Sequence, residues 1–331
     1  MISAVYAAIA RRRREWYAAR PHARRRLRHP VISIGNIAAG GRGKTPFTAA
    51  VARILMELGE RPAILSRGYA RTRPEDGAVV VRDAYGMRAD VARAGDEPFM
   101  LARQLPGAIV ISSPDRYLGG RIAEHHLGAT VHLLDDGFQH FQLDRDVDVV
   151  LVGAADVAGA STFPSGRLRE PADVLVAADA IVAIDHSSLR DVRLADAEVP
   201  IFFATRIVHD AVFDPPVSLA SRNVLAVAGI AVPQPFLDSI QAAGWTVVAA
   251  KLFADHHAYS ARDVAGLIAA ARGAAAAAVL TTEKDYVRLL PFRPFALPVG
   301  RVPLTMEPEP RAEFRQWLVS SIASARDIVL V

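Results

Sequence analysis

From Val31 onward, short uninterrupted apolar runs alternate with stretches whose apolar residues recur at helical spacing. VISIGN, PAILSRG, AIVISS, VHLLDDG, VDVVLVG and AIVAID read as strands, and helices are predicted near 45–58, 97–105 and 114–127. This alternation predicts an α/β fold built on a doubly wound, mostly parallel sheet with helices on both faces. The segment RTRPEDGAVVVRDAYGMRAD interrupts the rhythm and is predicted to insert a hairpin or other excursion. Around 186–215 charge, proline and short strands mark a junction, after which NVLAVAGIA, TVVAAKLF and AAAAAVLTT repeat the pattern on a smaller scale. The expected organisation is a basic helix over 1–29, a core over 30–200 and a smaller C-terminal α/β domain over 201–331.

The first thirty residues follow a different pattern. Ile2, Val5, Tyr6, Ile9 and Trp16 fall at near-helical spacing, followed by nine arginines against the single Glu15. The chain as a whole carries a formal charge of +4, so everything beyond this segment is net negative. Apolar residues, then arginines and a Trp16-Tyr17 pair, predict an amphipathic helix lying in a lipid headgroup layer. A basic helix packed on its own domain and a mitochondrial-type transit peptide share the pattern, whereas a secretory signal would place its charges first. No later segment has the 18 or so apolar residues a membrane span needs, because the alanine-rich stretch 264–280 is broken by Arg272 and Gly273. With no cysteine, disulfides, thiolate nucleophiles and Cys-ligated zinc are excluded, and any metal must sit on oxygen or imidazole. Nothing in the pattern calls for nucleic acid or an obligate protein partner.

NIAAGGRGKTPF, residues 36–47, follows a buried strand and precedes a helix with Pro46 in its first turn. This is the setting of a phosphate-binding loop, although Ala38 stands where the pattern has its first glycine. Gly40, Gly41, Arg42 and Gly43 form the loop that would cradle the phosphates of ATP, aided by the positive end of the helix. Lys44 would reach the β/γ-phosphates and Thr45 would offer a hydroxyl to Mg²⁺. An alanine at position 38 is tolerable if its φ is negative. VHLLDDGFQH ends a strand in Asp135-Asp136, where a carboxylate beside such a loop coordinates Mg²⁺ directly or through water. Alone, Asp-Asp-Gly reads as a turn, and Asp96, at a helix start two residues before Pro98, reads as an N-cap.

GGRGKTPF, SRGY (66–69), GDEP (95–98), DDGFQH (135–140), GRLREP (166–171), DHHAY (255–259) and TTEKD (281–285) occur in an order that resembles the tetraacyldisaccharide 4′-kinase family. The resemblance implies an ATP-dependent transfer to the 4′-hydroxyl of an acylated disaccharide 1-phosphate in lipid A biosynthesis. It also implies a peripheral position on the cytoplasmic face of a Gram-negative inner membrane, docked through the N-terminal helix. By resemblance Asp96 is a catalytic base assisted by His256, in a cleft that the smaller domain closes, and Glu170 helps to place Mg²⁺. Tyr69, Arg116 and Arg169 are candidates for the substrate, since arginine suits bidentate phosphate recognition. His256 and His257 beside Asp255 lack a third ligand at zinc spacing. Thr282 and Asp285 have capping-box spacing, and Lys284 is a further cation candidate for the nucleotide. The competing class is another nucleotide hydrolase, metallochaperone-like, with a protein partner. A guanine-specific loop would read [Asn/Thr]-Lys-x-Asp where this chain has Thr-Glu-Lys-Asp, which argues for ATP.

Overall fold

The computed structural model describes residues 2–40, 43–69, 71–157, 160–184 and 199–329. It opens with α1 (Ile2–Ala18), β1 (Val31–Asn36), α2 (Lys44–Glu57) and β2 (Pro62–Ser66). The predicted excursion follows as β3 (Val79–Asp83), β4 (Gly86–Met87) and the short α3 (Val91–Ala94). Next come α4 (Asp96–Gln104), β5 (Ile109–Ser112), α5 (Arg116–Leu127), β6 (Val131–Asp135), β7 (Val147–Val152), α6 (Ala154–Val157), β8 (Ala180–Ala183) and β9 (Ile201–Val208). The junction call at 186–215 falls partly outside the described residues.

Residues 1–206 and 306–331 group as one unit and 207–305 as another. The first holds a ten-stranded sheet in the order β15-β9-β8-β7-β1-β6-β2-β5-β3-β4, where β15 spans Leu304–Glu309. From β9 to β5 its strands run parallel, and β3 and β4 close one edge antiparallel. Neighbouring residues of a strand point to opposite faces, so Leu133 of β6 packs with Ile34, Phe47 and Val149 while Leu134 packs with Leu65, Ile111 and Leu143. Both faces are covered, which is why these strands read as continuous apolar runs.

The second unit contains β10 (Val212–Phe213), β11 (Asn223–Ala228), α7 (Gln234–Ala242), β12 (Thr246–Leu252), α8 (Ala261–Gly273), β13 (Ala278–Thr282), α9 (Glu283–Leu289) and β14 (Val299–Val302). Its five-stranded sheet has the order β10-β14-β13-β11-β12, parallel except for β10. The expected limits of 201–331 need correction, because α10 (Arg311–Val329) belongs to the first unit. Phe314, Leu318 and Ile322 enter the core that holds Ile34, Phe47 and Phe202, with the Phe314 ring 5.0 Å from that of Phe202. The apolar spacing of a helix does not by itself say which core it fills.

Candidate active site

Parallel pairing sets Ile34 of β1 opposite Asp135 of β6. The loop leaving β1 and the acidic pair leaving β6 therefore emerge side by side at the carboxyl edge of the sheet, where open α/β folds bind ligands.

The first half of the loop is held by the GRLREP segment. Ala38 forms an antiparallel bridge with Leu168, the Ala39 N–H donates to the Arg167 carbonyl at 2.8 Å, and the Arg169 N–H donates to the Ile37 carbonyl at 2.6 Å. Ala38 is fully buried and is not among the residues with positive φ, so the alanine at the first-glycine position fits without strain. Gly40 has φ 106° and Gly43 φ 77°, conformations that favour glycine. Gly43 precedes α2 as its N-cap and supplies no side-chain acceptor, and the first turn of α2 contains no acid. The N–H groups at this helix start are thus available to an anion, with the helix dipole favouring negative charge. Gly41 and Arg42 lie outside the described residues.

Charge is concentrated just below. The Thr45 hydroxyl donates to Asp135 at 3.3 Å and the buried Thr48 hydroxyl at 3.2 Å. Lys44 Nζ lies 3.6 Å from Asp136 and 3.5 Å from the Gly40 carbonyl, and Arg169 Nη1 donates to both Asp136 oxygens at 2.8 and 2.9 Å. The two neighbouring carboxyls therefore behave differently. Burial, then the charges of Glu97 and Asp136, push Asp135 up to about 7. Burial also acts to raise Asp136, but Lys44 and Arg169 outweigh it and hold that carboxyl below its usual range. Asp136 has φ 59°, left-handed for a non-glycine residue, so its orientation is held by these partners and not by backbone preference.

Arg116 begins α5 and is 5% exposed. It donates to the carbonyls of Ser113 and Pro114 at 3.3 and 3.4 Å, and its Nε has no partner among the described residues. Burial lowers its pKa to about 10, with Asp135 opposing the shift and Arg67 adding to it. His140 is pushed down to about 4 by burial and then by Arg116 and Arg145, so it is a neutral imidazole at neutral pH. Asp96, 2% exposed, is the first residue of α4 and not its cap: the capping position belongs to Gly95 at φ 88°. A Cβ on Gly95 would stand 2.6 Å from the Tyr69 carbonyl, so the GDEP and SRGY motifs pack backbone to backbone. Tyr69 itself is exposed. Glu170 is 2% exposed, and Arg14 of α1 donates to its two oxygens at 2.9 and 2.8 Å.

In the second unit, His256 has φ 59° and its ring nitrogens face two cations, Lys284 Nζ at 2.9 Å from Nε2 and Arg288 Nη2 at 3.4 Å from Nδ1. Lys284 also lies 3.6 Å from Asp255, so it serves this imidazole in its own unit. Thr282 caps α9 by accepting from the Asp285 N–H. Asp285 does more than the capping spacing suggested: it accepts from the Gly229 N–H, the Tyr259 hydroxyl and Arg288. His257 stacks on Phe253, and its Nε2 lies 3.4 Å from Asp263 Oδ2.

The donor set fits ATP and Mg²⁺. Among the described residues no three carboxyl or imidazole groups gather as a full metal cage. Mg²⁺ commonly takes one or two protein carboxylates and completes its shell with phosphates and water, which Thr45 and Asp135 beside a bare helix start would satisfy. Sequence reasoning missed Thr48, Gln139, Arg167 and Arg14. Gln139 lies within a quoted motif, but nothing in a run of four arginines distinguishes Arg14.

Comparison with known proteins agrees with this geometry. A family model described as Tetraacyldisaccharide-1-P 4′-kinase matches residues 1–323. A tetraacyldisaccharide 4′-kinase of Pelobacter propionicus is 38% identical over 87% of this chain and 81% of its own. The protein of that name from Geobacter metallireducens is 36% identical over 88% of both. The crystal structure of LpxK from Aquifex aeolicus in complex with ATP superposes with a TM-score of 0.79 at 28% identity, covering 97% of each chain. With a family model spanning nearly its whole length and relatives above 30% identity, the chain belongs to the tetraacyldisaccharide-1-P 4′-kinase family.

Proposed function

We propose that this protein transfers the γ-phosphate of ATP to the 4′-hydroxyl of a tetraacyldisaccharide 1-phosphate in lipid A biosynthesis. The observation that carries the reading is the convergence of Lys44, Thr45, Asp135 and Asp136 at the bare start of α2, in a chain of this family. The metallochaperone-like alternative has no counterpart in the family match. When bound, ATP supplies the phosphoryl group, and Mg²⁺ neutralises the charge that develops on it. Thr45 and Asp135 are the proposed metal ligands, with Gly40, Gly41, Arg42 and Gly43 around the phosphates. Lys44 rests against Asp136 within reach of the β/γ-phosphate position, and Arg169 keeps Asp136 neutralised when Lys44 turns from it. Asp96 is assigned the proton of the sugar hydroxyl and His256 the imidazole that supports it, roles that rest on the family resemblance. Arg116, buried with an unused Nε, suits a substrate oxygen or phosphate; Tyr69 and Arg169 remain candidates beside it. Glu170 could serve the metal only by exchanging Arg14 for it.

A membrane surface is the proposed second partner, at the cytoplasmic face of the inner membrane. No described helix is long and apolar enough to cross a bilayer. Ile2, Val5 and Ile9 of α1 are 71%, 56% and 63% exposed, while Arg11 pairs with Asp173 at the surface and Arg14 turns inward to the buried Glu170. A helix that anchors itself by charge and leaves its apolar stripe outside suits a lipid headgroup layer.

Radiolabelled γ-phosphate should pass from ATP to tetraacyldisaccharide 1-phosphate in detergent micelles. Lys44→Ala should lose nearly all transfer and Asp96→Ala roughly 10²–10⁴-fold, the range of general-base contributions; near-normal transfer by a folded Asp96→Ala protein would remove Asp96 from the chemistry. A second expectation follows from Asp135. Its folded pKa of about 7 exceeds the ordinary value, so between about pH 4 and 7 the folded state holds a proton that the unfolded state lacks, and stability falls as pH rises through that window. Asp135→Asn should accordingly raise the melting temperature of the nucleotide-free protein at pH 8, with the gain shrinking as pH falls and vanishing only near about pH 4, while transfer is lost. A gain independent of pH would contradict the assignment. Replacing Ile2, Val5 and Ile9 together by serine should abolish cosedimentation with anionic vesicles and leave ATP affinity unchanged; unaltered cosedimentation would sink the membrane role of α1.

A further inference from the structure

Among the four consecutive arginines of α1, Arg11, Arg12 and Arg13 are exposed, whereas the Arg14 side chain is 14% exposed and meets a Glu170 side chain only 3% exposed. Arg14 forms a fork on both Glu170 oxygens, and its guanidinium lies 4.2 Å from the centre of the Phe138 ring and 4.9 Å from that of Phe141. Planar stacking and bidentate pairing together fix one orientation, which a lysine could not reproduce. Glu170 Oε2 also accepts from Gln139 at 3.0 Å, and Gln139 donates to the carbonyl of Asn36, the last residue of β1, at 2.9 Å. The residue before Glu170 is Arg169, which grips Asp136 through its side chain and Ile37 through its backbone. One arginine on α1 thus reaches both sides of the loop entrance, through Gln139 to Asn36 and through the 169–170 backbone to Ile37 and Asp136.

We propose that Arg14 is a positioning residue for the nucleotide-phosphate site, acting through Glu170. The inference rests on the reading of residues 36–45 as the ATP site. Without Arg14, Glu170 is a buried carboxylate lacking its cation, a costly state that it relieves by drawing on Arg169, its neighbour in sequence. Arg169 then no longer neutralises Asp136, and Lys44, 3.6 Å from Asp136, is held there in place of serving a phosphate. The same arginine that fastens α1 to its unit thereby keeps Lys44 available. Arg11, whose partner Asp173 is exposed, has no such connection.

The test is calorimetric titration of ATP–Mg²⁺ into the full chain, without lipid, for wild type, Arg14→Ala, Arg14→Lys, Glu170→Gln, the Arg14→Ala/Glu170→Gln double variant, Arg11→Ala and Lys44→Ala. Arg14→Ala should weaken ATP binding about tenfold, the scale of coupling within a shared hydrogen-bond network, and Arg14→Lys should restore part of it. The double variant should bind no more weakly than the worse single variant, and Arg11→Ala should match wild type. Wild-type affinity in Arg14→Ala, or a double-variant loss equal to the product of the single losses, would overturn the inference. If Lys44→Ala also binds ATP normally, the assignment of the loop itself fails; if Lys44→Ala is weakened and Arg14→Ala is not, the role of Arg14 alone fails.

Discussion

The candidate site of the first unit centres on one unfavourable act, the burial of Asp135 at the end of β6. Parallel pairing with β1 puts this carboxylate opposite Ile34, with apolar side chains above and below the sheet. Two threonine hydroxyls donate to it, and it has no ion-pair partner among the described residues. The cost appears as a carboxyl pushed up to about 7, and a bound cation at the same oxygens would remove it. On the proposed assignment, the residue that makes the fold less stable in isolation is the one that would receive the metal.

The second acid resolves its charge in the opposite way. Asp136 is clasped by Arg169 and approached by Lys44, so two positive groups meet one negative group and a net cation is left beside the start of α2. Arg116, buried and charged, adds to this field, and the neutral His140 does not compete with it. An anionic phosphate chain would therefore meet converging helix N–H groups, a lysine and arginines, each already oriented by protein contacts before it arrives.

Much of this was readable from residue order because the information is local. Strands buried on both faces announce themselves as uninterrupted apolar runs, and the strand-glycine-helix sequence around Gly43-Lys44-Thr45 carries its own geometry. What escaped depends on partners far along the chain. The fork between Arg14 and Glu170 joins residues 156 positions apart, and the return of α10 to the first core sends Phe314 to Phe47 and Phe202. Asp96 looked like a cap because acids favour that position; the backbone of Tyr69 comes so close to residue 95 that only a glycine fits there, and the helix begins at Asp96 itself, one residue earlier than a cap at Asp96 would allow. Lys284 looked available for a nucleotide, whereas His256 and Asp255 engage it.

The most direct test of the central claim is proton release on binding ATP–Mg²⁺, measured by calorimetry in two buffers of different ionisation enthalpy. At a pH near the Asp135 value of about 7, wild type should release a fraction of a proton per nucleotide beyond that seen with Asp135→Asn, and the difference should vanish near pH 8.5, where the carboxylate is already ionised. Equal proton release by the two proteins at both pH values, with ATP binding intact, would contradict the account of Asp135 as the buried group that the bound cation relieves.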